Sequence, residues 1–313
     1  MGPLWHRLFS MHFRGLDLNL LVALDSLITE KSISRTGEKI HLSQSATSGA
    51  LARLREYFHD DLLVPVGRKM VLTPLAEELA QPVKQFLMQA EGIMHRTPGF
   101  IPAESTREFR VMMSDYVAMV LMSHALPLME QHAPGVSIHI ITGTRQDALD
   151  RGEAELVILP KQYLAPNHPS EDLFSDEFAC LVCAKNPAIR RSLSMKAYLT
   201  QGHVAVRFGE HQDQPGFEER FLEGMGLSRR VEVIAPTFAL VPHLVMGTSR
   251  IATIHRRLAA YYASQLPLRV LTPPISFPPL HEEMQWHTYR ETDPGLRWLR
   301  DIFKEAMSNS VGM

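Results

Sequence analysis

The sequence predicts an α/β protein in two parts, a helical N-terminal third carrying a small hairpin and a larger region of short strands alternating with helices. Three observations carry this. Apolar residues recur at helical spacing from 16 to about 58 and again from 75 to 94. Two short apolar runs flank Gly67 between those stretches. From Phe109 onward, brief apolar runs at 109–113, 136–141 and 156–159 are separated by helix-like segments at 117–132 and 145–151.

The N-terminal elements follow in order. Leu16, Leu20, Leu21, Leu24, Leu27 and Ile28 mark a helix over 16–31, and 32–40 forms a short second helix. A tight connection, His41-Leu42-Ser43, leads to a third helix over 44–58. Ser43 suits its N-cap, because a hydroxyl there satisfies an orphan backbone donor. On that helix Ala46, Ala50, Leu51 and Leu54 are expected to face inward. Gln44, Ser45, Thr47, Ser48, Arg53 and Arg55 are expected to face outward. A hairpin over 62–72 carries Arg68 and Lys69 at its tip. Thr73-Pro74 then opens a long helix, with proline at the first helical position, where its missing donor costs nothing. Its stripe of Leu75, Leu79, Val83, Phe86, Leu87, Ala90 and Met94 needs a partner surface, so residues 73–97 are expected to form a linker that dimerises the chain.

Strand-like runs continue at 178–184, 203–206, 230–234 and 251–254. A Pro-rich connection over 273–279, a strand near 284–287 and a last helix over 294–307 complete the chain.

Composition narrows the function classes. The 313 residues suit two or three domain-sized units, and 45% hydrophobic with 21% charged residues is ordinary for a chain that buries cores. Net charge is −2 overall. Yet the stretch 31–69 holds seven bases (Lys31, Arg35, Lys39, Arg53, Arg55, Arg68, Lys69) against four acids (Glu38, Glu56, Asp60, Asp61). Such an excess is the footprint of a phosphate-contacting face or of a solvated surface. Two cysteines, Cys180 and Cys183, make no disulfide framework and fit a reducing cytoplasm. No apolar run approaches the ~20 residues needed to span a bilayer, so no membrane partner is expected. Residues 1–15 are expected to form an extension. They lack the long apolar run and cleavage site of a signal peptide, and Met11 is an alternative start.

The helices, Leu42-Ser43-Gln44, Arg53-Leu54-Arg55, the hairpin and Leu72-Thr73-Pro74 together resemble the LysR-type transcription regulators. The segment Phe13-Arg14-Gly15-Leu16-Asp17-Leu18-Asn19-Leu20-Leu21 is similar to one branch, which includes the flavonoid-responsive NodD and the salicylate-responsive NahR. Gly202-His203-Val204, Arg250-Ile251-Ala252-Thr253 and Gln285-Trp286 look like that branch too. The resemblance spans 16 to about 306. It departs at Thr36-Gly37, where relatives often carry Ala-Ala, and at Ser45, where proline is usual. A helical glycine costs about 1 kcal/mol relative to alanine.

The resemblance implies a winged helix-turn-helix over 16–72 and an effector-binding domain over 107–308 with the two-subdomain fold of periplasmic binding proteins. Subdomain 1 would cover about 107–176 and 267–308, and subdomain 2 about 177–266. Expected DNA contacts are Ser34, Ser43, Gln44, Ser45, Thr47, Ser48, Arg53, Arg55, Arg68 and Lys69. Gln44 suits a bidentate contact to adenine; Arg53 and Arg55 suit the backbone; Arg68 and Lys69 suit phosphates or a narrow minor groove. The expected effector cleft is lined by Ser114, Asp115, Gly143, Thr144, Leu159, Pro160, His203, Val204, Phe208, Phe238 and Thr253, because strand ends are where ligands sit in such sheets. His203 could equally be a core histidine satisfied by backbone. The implied function is an activator of transcription in the cytoplasm, with no cofactor beyond a small aromatic effector. Its partners would be promoter DNA, a second copy in dimers that pair into tetramers, and RNA polymerase.

Cys180-x-x-Cys183 invites a redox or zinc reading. Positions three apart on a strand face opposite sides, however, and no second pair completes a metal site, so inert thiols are expected. Fifteen histidines include no His-Glu-x-x-His, and no phosphate loop is present. An α/β enzyme would need an acid–base set that the sequence does not show. A solute-binding protein would need a secretion signal.

Overall fold

The computed structural model describes residues 12–13, 16–67, 69–94, 99–143, 145–189, 191–209, 211 and 213–309. The chain divides into two compact units, Met1–Arg96 with Asp150–Gly152, and Thr97–Leu149 with Glu153–Met313.

In the first unit, β1 (His12–Phe13) pairs antiparallel with β2 (Leu16–Asp17). That pairing delays α1 to Asn19–Glu30, three residues later than the apolar pattern alone suggests. Lys31 closes α1 in the left-handed conformation, and Ser32 caps α2 (Ile33–Lys39) by accepting from the Arg35 N–H. Next come α3 (Gln44–Phe58), the hairpin β3 (Leu63–Val66) and β4 (Lys69–Leu72), and α4 (Pro74–Met94). Leu24, Leu27, Leu54, Leu62, Leu63 and Ala76 are fully buried in one core.

Gly37 has a packing reason. A Cβ there would lie 2.7 Å from the Leu42 carbonyl oxygen and 3.0 Å from Thr47 Oγ1. Its own carbonyl accepts from the Leu42 N–H at 2.8 Å, so the helix–turn–helix closes over a bare backbone. The stripe on α4 also differs from expectation. Ala76 and Val83 are buried, with Leu79, Ala80 and Leu87 packed beside them against the small domain's own core. Among the described residues, Phe86 (40% exposed) and Ile93 (69%) are the large apolar side chains that α4 leaves uncovered.

The second unit holds two sheets. The first has the order β6 (Ser137–Thr142), β5 (Glu108–Met113), β7 (Leu156–Pro160), β15 (Leu280–Trp286), β8 (Ser170–Asp176). The second has the order β11 (Gln214–Pro215), β10 (Gly202–Phe208), β13 (Ile251–His255), β9 (Phe178–Cys183), β14 (Leu268–Leu271), with β12 (Arg230–Ala235) also beside β10. Helices α5 (Asp115–His132) and α10 (Pro294–Asn309) pack together, and α6 (Met195–Thr200), α7 (Phe217–Gly224), α8 (Val241–Val245) and α9 (Arg256–Gln265) serve the second sheet. The sheets are mixed. The strands entering and leaving each subdomain (β8, β9, β14, β15) run antiparallel to their neighbours. Strand β14 pairs with β9, so the return crossing lies between Leu271 and Leu280, not at 267 as the sequence suggested. The expected helix over 145–151 is a single 3-10 turn, Gln146–Ala148.

Candidate DNA interface and effector cleft

The Ser43 hydroxyl accepts from the Ala46 N–H at 3.2 Å and lies 3.0 Å from the Ser45 hydroxyl, so it opens α3 as an N-cap. Gln44, Ser45, Ser48 and Arg53 are exposed on α3, and Ser34 is exposed on α2. Thr47 is not on that face. It is fully buried, and its hydroxyl donates to the Ser43 carbonyl at 3.0 Å. Positions 47, 50, 51 and 54 follow i, i+3, i+4, i+7 and form the inward stripe, which leaves Ala46 exposed instead.

The arginines divide. Arg53 pairs with Asp17 at 3.3 Å on the surface, a contact that water and salt weaken. Arg55 donates to the carbonyls of Asp61 and Leu63, each at 2.7 Å, and so fastens the end of α3 to the hairpin. Asp60 Oδ1 accepts from the Leu62 N–H (2.7 Å) and the Thr73 hydroxyl (2.6 Å), tying the start of the hairpin to the start of α4. Leu62 is buried with φ 58°, a strained conformation for a branched residue, held by that carboxylate. Lys69 is exposed beside Gly67, whose φ of 63° makes the turn. Arg68 lies outside the described residues.

In the second unit a cleft of about 790 Å³ opens at the ends of β5, β6 and β10. Of the residues expected at the effector cleft, Ser114, Asp115, Gly143 and Phe208 line this cavity. Ser114 caps α5 by accepting from the Val117 N–H, and Asp115 Oδ2 accepts from the Ala239 N–H at 2.8 Å, joining α5 to the second subdomain. Thr144 lies outside the described residues. The remaining expected residues stand elsewhere. Leu159 and Val204 are 1% exposed in the cores, and Pro160 sits in register with Glu282. Phe238 backs Phe208, with ring centroids 5.9 Å apart.

His203 is fully buried with Nε2 2.6 Å from the Tyr198 carbonyl oxygen, and burial pushes its pKa down to about 4, so it is a neutral core histidine. Thr253 is 2.9 Å from the Tyr198 hydroxyl and 3.8 Å from Cys180 Sγ, on the sheet face covered by Tyr198 and Leu222. Burial pushes the Cys180 thiol up to about 12, so it offers no thiolate, and Cys183 is buried with its Sγ accepting from the Gly247 N–H at 3.3 Å.

The cleft instead gains residues that sequence reasoning missed: Arg145, Tyr163, Arg207, Phe217 and Arg220. Arg145 and Tyr163 stand a few positions beyond the ends of β6 and β7, so a wider reading of the strand-end rule would have reached them. Phe217 and Arg220 come from α7, a helix too short to show clear periodicity.

A buried carboxylate pair lies at the crossing between sheets. Asp176 Oδ2 accepts from the Tyr116 hydroxyl (2.6 Å) and from the Arg257 N–H (3.2 Å). Glu282 is 3% exposed, and burial with the nearby Asp176 charge raises its pKa to about 8. His255 stacks on Tyr116 at 3.6 Å, and burial lowers its pKa to about 3.

A capped polar helix face beside a basic hairpin, joined to a two-sheet unit with a cleft at its strand ends, defines a DNA-binding regulator with a small-molecule sensor. Residues 18–77 match the family model described as "bacterial regulatory helix-turn-helix protein, lysR family", and residues 102–308 match the "LysR substrate binding domain". The chain belongs to the LysR family; it is a DNA-binding transcriptional regulator and not an enzyme.

It is 40% identical over 301 residues to Nodulation protein D 1 of Bradyrhizobium diazoefficiens, covering 96% of each chain. It is 40% identical over 294 residues to Nodulation protein D 3 of Rhizobium leguminosarum bv. phaseoli, covering 93% of this chain and 97% of that one. Among solved structures it resembles a probable transcriptional regulator from Pseudomonas aeruginosa (27% identity, TM-score 0.66, 93% and 97% covered). It shares its fold with full-length OxyR from Pseudomonas aeruginosa (18% identity, TM-score 0.70, 94% and 95% covered). Among the described residues no helix is long and apolar enough to cross a membrane.

Proposed function

We propose that this regulator is a cytoplasmic activator that reads promoter DNA with the exposed face of α3 and the hairpin, and that a small aromatic effector bound in the cleft sets its activity. The observation that carries the reading is the cleft itself. Its volume of about 790 Å³ is in the range of small-molecule sites, and Tyr163, Phe208 and Phe217 supply flat apolar area beside a few directional polar groups. The nodulation-protein relatives support a regulator of the same general kind. Self-association into dimers through α4, with such dimers pairing into tetramers, belongs to the same proposal, as does RNA polymerase as the partner that activation requires.

An effector changes activity only by binding one arrangement of the protein better than another. A tenfold preference is worth about 1.4 kcal/mol per site, enough to alter promoter occupancy. A thermal-shift screen of aromatic acids, phenols and flavonoids tests the reading, followed by calorimetry on Phe208→Ala. A hit whose affinity falls in the variant supports it. If a hit binds the variant as tightly as the parent, Phe208 is not in the site; if no aromatic compound binds, the effector class is wrong.

A further inference from the structure

We propose that Arg220 is the anion anchor of the cleft, so that the effector is an aromatic compound carrying a carboxylate; this rests on the reading that the effector occupies this cleft. Three guanidinium groups line the cavity. Arg145 is already committed to Asp147 (two contacts of 3.1 Å) and to Glu153 (3.6 Å). Arg207 is committed to Glu219 through contacts of 3.2 and 2.8 Å. Arg220 is exposed and has no acidic partner among the described residues. Its guanidinium lies over the face of Tyr163, with Cζ 5.0 Å from the ring centroid.

The difference matters chemically. A ring face takes the flat side of a guanidinium and leaves its in-plane N–H donors free. Those donors form a fork that matches a carboxylate with two parallel hydrogen bonds. Tyr163 and Arg220 come from opposite subdomains and both line the cavity, so the pair spans it and places the guanidinium at its wall. The two lining acids do not cancel it. Asp147 is held by Arg145, and Asp115 accepts from the Ala239 N–H. Phe208 and Phe217 line the same cavity and supply surface for the effector's ring.

The test uses the full chain and a panel of aromatic acids (benzoate, salicylate, cinnamate, 2-naphthoate), each paired with its neutral carboxamide, with phenols and flavonoids as further neutral probes. Calorimetry on the parent should show at least one acid binding about tenfold or more tightly than its amide, as expected for a charge-assisted hydrogen-bonded pair. That preference should shrink as salt rises. Arg220→Gln should abolish it, weakening the acid far more than its amide, and Arg220→Lys should restore part of it, because the charge returns without the planar fork. Circular dichroism and the melting temperature report that the variants fold.

Acid and amide binding alike, or an acid preference that survives Arg220→Gln, would overturn the anchor. Neutral aromatics that bind and depend on Phe208, while every acid fails, would overturn the anchor and leave the cleft reading standing. If no probe of any charge binds, the cleft reading falls and the anchor with it.

Discussion

Gln44 and Gly37 show two kinds of information held by single residues. Gln44 is exposed at the first turn of α3, where side chains enter the major groove. Gln44→Ala should cost about 1–3 kcal/mol at one preferred base pair, measured by gel shift on operator variants. An equal loss on random DNA would argue against base reading. Gly37 is read from sequence as a helix weakness, but the Leu42 carbonyl and the Thr47 hydroxyl leave no room for a methyl group. Gly37→Ala should therefore lower stability by about 1–3 kcal/mol in denaturant titration, the usual cost of overpacking, where helix propensity alone predicts a gain. The same crowding explains Thr47. Its hydroxyl is expected among the DNA contacts from its place on the third helix, but a side chain bonded four residues back can sit inside a helix stripe without an orphaned donor.

The linker helix is the element on which sequence and structure diverge most usefully. Its whole apolar stripe looked unpartnered, yet its first turns complete the core of the small domain. Leu79→Glu with Leu87→Glu should thus destabilise the N-terminal unit instead of cleanly dividing a dimer. Phe86→Glu with Ile93→Glu is the sharper pair, since both side chains are exposed and lie seven residues apart on one side of the helix. Sedimentation should find monomers that retain their helical signal. A persisting dimer would place self-association elsewhere. The hairpin gives a complementary test. Arg55→Ala releases two carbonyls that position it and should weaken binding on all sequences, while Lys69→Ala should flatten the salt dependence by about one phosphate contact.

Across the whole molecule, the helices of the DNA-reading part were legible because caps and periodicity are local. Helix α3 runs Gln44–Phe58, and α5 and the last helix lie within two residues of their expected ends. The cleft was less legible because strand-end positions divide between two faces. Phe208 opens to the cavity, whereas Val204, four residues earlier, packs in the core. The polar edge strand β8 and the short β14 lack the continuous apolar run that reveals a buried strand, so the crossing was misplaced.

Buried ionisable groups give the C-terminal unit a window of pH stability. His203 and His255 are held neutral, so the stability they carry is present above pH 6.5 and is lost as pH falls through about 4 and about 3. Glu282 is held protonated, so its contribution is full below pH 4.5 and is lost as pH rises through about 8. Melting temperature should therefore fall on both sides of mildly acidic pH. Glu282→Gln should remove the alkaline limb alone; an unchanged alkaline limb would show that Glu282 is ionised in the native state.

The Asp176 carboxylate stands where the chain leaves one sheet for the other and accepts from both sides, the Tyr116 hydroxyl on α5 and the first turn of α9. One oxygen cannot follow two bodies that turn apart. A swing of the subdomains that separated α5 from α9 would stretch one of these bonds beyond hydrogen-bonding range. The carboxylate is thus a rivet at the joint: any arrangement in which α5 and α9 part would leave one donor, the Tyr116 hydroxyl or the Arg257 N–H, in need of another acceptor.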